Sequence, residues 1–169
     1  QQDISKVGAL DVEFYNNEFS TNFNNNVKIH LDTYKPVVFL LGSDELNHSI
    51  LKNAFVVYIG HHGDNSAQIA DIVLPSPAYT EKSSTYVNME GRVLQSTRCY
   101  HPLDQAKEEW KIFRSMSNNF GDHLTFNNLE DLRKEICQKY PIFQLLNTLP
   151  SQSKINFGEH KKVNTRILD

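Results

Sequence analysis

Three carboxylates, Asp71, Glu81 and Glu90, stand close together in ADIVLPSPAYTEKSSTYVNMEGR, residues 70–92. Paired carboxylates are a standard source of general acid and base. Nothing in their spacing makes these three converge, and no Gly-x-Ser-x-Gly elbow or similar nucleophile accompanies them. Charged residues inside a long polar loop more commonly accept the loop's own backbone N–H groups and pair with an arginine, here Arg92 or Arg98. A structural role is therefore expected for Asp71, Glu81 and Glu90, and no catalytic residue is assigned. Asn88 and Gly91 suit the same reading, since asparagine bonds backbone locally and glycine permits positive φ. Pro75 stops the apolar run that leads into the loop.

Other reactive side chains carry less. His61-His62-Gly63-Asp64 contains metal-ligand types, but adjacent residues rarely face one ion and the helical His-x-x-x-His spacing is absent. A polar turn capping the next helix is expected, with no metal. The strand-to-glycine turn Leu41-Gly42-Ser43-Asp44 lies where open α/β sheets bind nucleotides. A single glycine is not a dinucleotide fingerprint, and no bound cofactor is expected on this chain. Cys99 and Cys137 lack CxxC or Cys/His ligand spacing, so this chain cannot by itself supply the four ligands of an iron-sulfur cluster. Cys99 is expected to be a small buried apolar residue.

The elements that must position these residues read as α/β. Val37–Leu41 and the run FVVYI are continuously apolar and each ends at a glycine, as does a strand buried on both faces of a parallel sheet. Residues 43–54 supply a crossover, predicted as a short helix capped by Ser43 or Asp44 with Leu46, Ile50 and Leu51 inward. Asn65 is predicted to cap a further helical turn, and DIVLP to be a third strand. Residues 93–97 read as an edge strand. Two amphipathic helices follow. The first is predicted to open at Asp104, with Ala106, Trp110, Phe113 and Phe120 on one side, and to stop at Gly121. The second is predicted to open at Asn127, with Glu130 three residues on, and to end before Pro141. The expected divisions are an asparagine-rich, poorly patterned segment over 1–35, a partial α/β domain over 36–149 and an extended polar tail over 150–169.

Composition excludes several classes. The chain has 169 residues and a net charge of -3 without a clustered basic face, so no nucleic-acid partner is expected. No apolar run approaches the roughly 18 residues of a membrane span, so no membrane insertion is expected. The first residues, QQDISKVGALDVEF, carry acids where a transit peptide is arginine-rich. A parallel sheet apolar on both sides needs helices on each face, and the few helices predicted here leave apolar surface over. A large permanent partner is expected.

The order of Pro77, Tyr79, Glu81, Tyr86, Asn88, Glu90, Gly91 and Arg92 resembles the C-terminal molybdopterin-oxidoreductase-like domain of the largest iron-sulfur subunit of respiratory complex I. KPVVFLLGSDE, FVVYIGHHGD and EEWKIFRSMSN extend the resemblance along most of the chain. It implies a non-catalytic structural segment of NADH:ubiquinone oxidoreductase, in the peripheral arm on the matrix side of the mitochondrial inner membrane. It also implies that the iron-sulfur clusters lie on the other part of the subunit. Because the match begins partway through the family's domain, the chain is expected to be a piece of a divided or fragmented subunit. Its partners would be the chain carrying the N-terminal iron-sulfur part and other peripheral-arm subunits. Two alternatives stay open: a true molybdopterin enzyme of formate dehydrogenase or nitrate reductase type, and a free-standing α/β binding domain. Against the first, Ser84 stands where cofactor-bearing relatives usually carry glycine.

Overall fold

The computed structural model describes residues 6–14, 35–43, 46, 48–121 and 123–148. Three strands, β1 (Val37–Leu41), β2 (Phe55–Gly60) and β3 (Ile72–Pro75), form a parallel sheet in the order β1-β2-β3. The register sets Val37, Phe39, Leu41, Phe55, Val57, Ile59, Ile72 and Leu74 on one face, with Val38, Leu40, Val56, Tyr58 and Val73 on the other. Both faces are apolar, which is why no polar alternation is visible in these runs.

The two faces are covered unequally. A 3-10 turn (His48–Leu51) and α2 (Asn65–Ile69) roof the second face, where Leu40, Leu51, Ala54, Val56 and Tyr58 make a buried cluster joined by Leu46, Ile50 and Ala67. On the first face α3 (Glu109–Ser117) brings Phe113 against Phe39 with ring centroids 6.0 Å apart. Val57 and Ile59 are buried at its centre, whereas Val37, Leu41 and Ile72 remain exposed at its margins. The central strand is therefore β2, and β1 is an edge strand on which Leu40 is buried and the other side chains are only partly covered or exposed.

A second cluster lies apart from the sheet. Strands β4 (Thr85–Val87) and β5 (Val93–Gln95) form an antiparallel hairpin, so residues 93–95 pair locally and do not border the parallel sheet. Val87, Val93 and Phe143 are its buried centre, packed by Val7 and Val12 and by Ile136, Cys137 and Tyr140. These come from α1 (Lys6–Asp11) and the turn that follows it, from α4 (Leu129–Lys139) and its end, and from the 3-10 turn Pro141–Gln144. The helix α1 falls in a segment expected to be irregular; six residues are too few for their periodicity to stand out. Residues 1–5 and 15–34 of that asparagine-rich segment and the expected tail over 150–169 lie outside the described residues.

Helix starts differ from the sequence reading for identifiable reasons. The first long helix opens at Glu109, because the Lys107 amide donates to the Pro75 carbonyl at 3.1 Å and holds the chain against the end of β3. Asp104 instead sits in a turn with φ of 43°, and Phe120 lies beyond the helix and exposed. The second opens one residue later than expected: Asn128 accepts from the Asp131 amide at 2.8 Å, while Asn127 accepts from Arg114 at 3.2 Å. Between β1 and β2 a 3-10 turn replaces the expected helix; Asp44 lies outside the described residues. Asp64, not Asn65, caps α2, through bonds from the Ser66 and Ala67 amides.

Gly60 ends β2 under the Tyr58 ring. A methyl group added there would lie inside the ring atoms of Tyr58, whereas one added at Gly63 meets nothing within 4 Å. Gly60→Ala should therefore lower the urea unfolding midpoint by an amount equivalent to about 1–3 kcal/mol. Gly63→Ala should stay within about 0.5 kcal/mol of the parent. Equal effects would mean that the ring does not hold this position.

Candidate functional site

The segment singled out by its carboxylates runs from the start of β3 to the end of the β4–β5 hairpin. Asp71 grips Val56 twice: its amide donates to the Val56 carbonyl at 2.8 Å, and its Oδ2 accepts from the Val56 amide at 2.7 Å. The carboxylate thus supplies the ladder bond that a longer third strand would have made. At the other end Pro75 has no N–H, and the next amide, Ser76, donates to the Gly60 carbonyl at 2.9 Å. Ser76 and Pro77 are buried where the chain leaves the sheet.

Glu81 closes a short 3-10 turn (Tyr79–Glu81) by accepting from the Ala78 amide at 2.9 Å. Its neighbour Lys82 pairs with Glu109, so the loop is tied to the first turn of α3. Asn88 organises the hairpin tip: its Oδ1 accepts from the Glu90 amide at 3.0 Å and from the Arg92 amide at 2.9 Å. Gly91 completes that turn at φ of 80°. Glu90 is exposed, and its carboxylate accepts from the Asn88 side-chain amide at 3.4 Å. The Arg92 guanidinium donates to the Asn147 carbonyl at 3.0 Å, joining the hairpin to the chain beyond α4.

The expected ion pairs are not formed. Among the described residues neither Arg92 nor Arg98 pairs with Asp71, Glu81 or Glu90. Arg92 is drawn to a carbonyl instead, while Arg98 adds a favourable charge near Glu108. The three carboxylates occupy three separate places, a strand start, a 3-10 turn and a hairpin tip, each bonded to different groups. Cys99 is exposed, contrary to expectation, because it follows the hairpin along an irregular stretch rather than packing in either cluster. The His61 and His62 rings lie with centroids 4.3 Å apart and planes tilted by 45°, and among the described residues no three histidine, cysteine, aspartate or glutamate side chains gather as a metal would require.

The polar centre that sequence reading passed over is at the carboxyl ends of the strands. The Tyr58 hydroxyl donates to Asp64 Oδ2 at 2.6 Å, and Asp64 Oδ1 accepts from the Ser66 and Ala67 amides at 3.0 and 3.1 Å. The Tyr58 hydrogen bond holds the Asp64 carboxyl below the usual carboxylate range; desolvation opposes this, and the two amides and the His62 charge reinforce it. An aspartate directly before Asn-Ser-Ala was the available signal. A buried carboxylate, Glu108, accepts from Trp110 at 3.0 Å and Lys111 at 2.9 Å. Burial pushes its carboxyl up, but those bonds and the charges of Lys111 and Arg98 outweigh that and leave it below the ordinary value.

An α/β unit on a parallel sheet, with polar side chains engaged mainly in bracing turns and strand ends, is the class that this fold and site define. The family model for molybdopterin oxidoreductases matches residues 1–119, and the chain belongs to that family. It is 36% identical over 159 residues to the NADH-ubiquinone oxidoreductase 75 kDa subunit of Reclinomonas americana, covering 94% of this chain and 21% of that protein. Against the mitochondrial NADH-ubiquinone oxidoreductase 78 kDa subunit of Neurospora crassa it is 44% identical over 144 residues, 83% of this chain and 18% of the relative. The mitochondrial 78 kDa subunit of the same oxidoreductase from Candida albicans is 40% identical over 141 residues, again 83% and 18% of the two lengths. The chain thus spans about a fifth of the length of these relatives.

The family name raises the question of a pterin cofactor. The amides at the head of α2, which could receive a phosphate oxygen, are already bonded to Asp64, whose ionised carboxylate would repel one. The described residues at this rim do not fit such a group. The same carboxylate makes stability pH-dependent. The folded state binds its proton more weakly than the unfolded chain does. Asp64 therefore contributes stability that is present above its unfolded value, about 4, and lost as pH falls through its folded value. Asp64→Asn should flatten the fall in urea midpoint between pH 7 and pH 3, and Tyr58→Phe should move the Asp64 carboxyl titration upward in carbon-13 NMR. An unchanged titration in the phenylalanine variant would contradict the assigned bond.

Proposed function

We propose that the chain is a non-catalytic structural segment of the largest iron-sulfur subunit of an NADH:ubiquinone oxidoreductase, completing a peripheral-arm domain beside the electron-transfer clusters. The observation that carries this reading is the alignment of 83–94% of the chain with subunits of that oxidoreductase. The incompletely covered sheet supports it, since Val37, Leu41 and Ile72 are apolar surface that a neighbouring body would cover.

In this reading the chain holds no cofactor. The clusters belong to the N-terminal iron-sulfur part of the subunit, which is its immediate partner, and other peripheral-arm subunits surround the pair. The assembly stands on the matrix side of the mitochondrial inner membrane. Among the described residues no helix is long and apolar enough to cross a membrane. Asp64 supports this reading over a live molybdopterin site, because its carboxylate already accepts from the Ser66 and Ala67 amides at the head of α2. What the segment supplies is shape and water exclusion: Asp71, Glu81, Asn88 and Arg92 hold the loop, and the loop holds the sheet to the helices.

Two measurements test it. Glu81→Ala and Arg92→Ala each remove a bond to backbone worth about 1–2 kcal/mol. Each should reduce the amount of assembled complex while leaving NADH oxidation per assembled molecule unchanged; normal assembly with lost NADH oxidation would make the loop catalytic. Elemental and pterin analysis of the purified assembly should find neither molybdenum nor pterin, and a stoichiometric amount of both would favour the molybdopterin enzyme.

A further inference from the structure

A cavity of about 500 Å³ opens between Ser83 and Arg98 at the feet of the β4–β5 hairpin, Trp110 and Lys111 at the start of α3, and Asn127 just before α4. Its volume lies within the roughly 300–1,000 Å³ of small-molecule sites. It shares no residue with the rim at Tyr58, Asp64 and Ser66. Glu108, buried in its wall, is already engaged by the Trp110 indole N–H and the Lys111 ammonium.

The spare hydrogen-bonding capacity of these side chains is mostly donor. Arg98 is exposed, and among the described residues its guanidinium meets no acceptor; only its backbone amide is bonded, to Ser83 Oγ at 3.1 Å. Ser83 Oγ accepts there and keeps its own proton to give. Lys111 donates one N–H to Glu108, which leaves the rest of its ammonium for another acceptor. Asn127 accepts from Arg114 through Oδ1 at 3.2 Å, and among the described residues its Nδ2 donates to no group. The side-chain acceptors, by contrast, are engaged: Glu108 by Trp110 and Lys111, and Asn128 Oδ1 by the Asp131 amide. Charge points the same way, since Arg98 and Lys111 stand against the single carboxylate of Glu108.

We infer that this cavity binds a small molecule through an oxyanion head group, a phosphate or a carboxylate, held by Arg98 and Lys111 with Ser83 and Asn127 as neutral donors. A guanidinium presents its N–H groups as a planar fork that matches such a head group, and the ammonium adds a point charge. The Trp110 ring, with the Lys111 ammonium 5.2 Å from its centroid, offers a flat apolar wall to the remainder of the molecule. The core of a protein–protein interface is depleted in charged groups. Here Trp110 and Leu129 are the large apolar residues among charged and polar neighbours, which favours a small solute over a polypeptide. The inference goes beyond the proposed structural role and does not depend on it.

Arginine-selective labelling with a dicarbonyl reagent, quantified at Arg98 by peptide mass spectrometry, tests the site on the purified assembly. The probes are inorganic phosphate and malonate, each compared with chloride at equal ionic strength. At least one of them should slow the labelling of Arg98 saturably, about tenfold at roughly ten times its dissociation constant; the one effective at lower concentration identifies the head group. Lys111→Gln should raise the concentration for half-protection about tenfold, as loss of a hydrogen bond from a charged donor does. If that variant does not assemble, the labelling series on the parent decides alone. Equal labelling rates in phosphate, malonate and chloride would overturn the inference and leave the proposed function standing. So would an Arg98 shielded in every buffer and reactive only after the assembly is taken apart, because a neighbouring polypeptide would then fill the cavity.

Discussion

A parallel ladder that is apolar on both sides has to be dry on both sides, and this constraint organises the molecule. The 3-10 turn and α2 meet it on one face around Leu40, Val56 and Tyr58, leaving Val73 at the β3 margin half exposed. On the other, Phe113 of α3 packs against Phe39, and exclusion of water is complete only at Val57 and Ile59 in the centre. Each large side chain left open forgoes about 1.5–3 kcal/mol, against a whole-domain stability of about 5–15 kcal/mol. Three such residues at the margins of one face are a substantial fraction of that stability.

The loop between β3 and the hairpin makes mechanical sense in that light. Asp71 completes a strand that is too short, Pro75 ends the ladder, and the Lys107 amide then docks on the Pro75 carbonyl. That contact brings the chain to the start of α3, and Lys82 with Glu109 fixes the helix from the loop side. Farther along, Asn88 and Gly91 set the hairpin tip so that Arg92 reaches the Asn147 carbonyl. Asp71 and Glu81, which look in sequence like candidates for acid and base chemistry, here bond backbone groups that would otherwise be left over.

Much of the architecture was legible because it depends on local patterns. Uninterrupted apolar runs ending in Gly42 and Gly60 marked two parallel strands, and Pro75 marked the end of a third. What the sequence could not disclose were contacts made at a distance. The Lys107 amide bonds Pro75 and delays the helix past Asp104, although Asp104 is a good cap by type. Arg114 takes Asn127 and shifts the next cap to Asn128. Tyr58 reaches Asp64 only because Gly60, between them, carries no side chain. The resemblance to the complex I subunit lay in wording that composition alone does not reveal, and the 36–44% identities to subunits of that oxidoreductase place it on firm ground.

The central claim is that this segment works as a structural part of a larger body. Gentle purification by a tag on the chain, followed by mass spectrometry of the accompanying polypeptides and a thermal melt of the recovered species, tests it most directly. The account predicts co-purification with iron-sulfur and other subunits of an NADH:ubiquinone oxidoreductase, and a melt belonging to that assembly. A lone monomer with a sharp, cooperative melt of its own would contradict it.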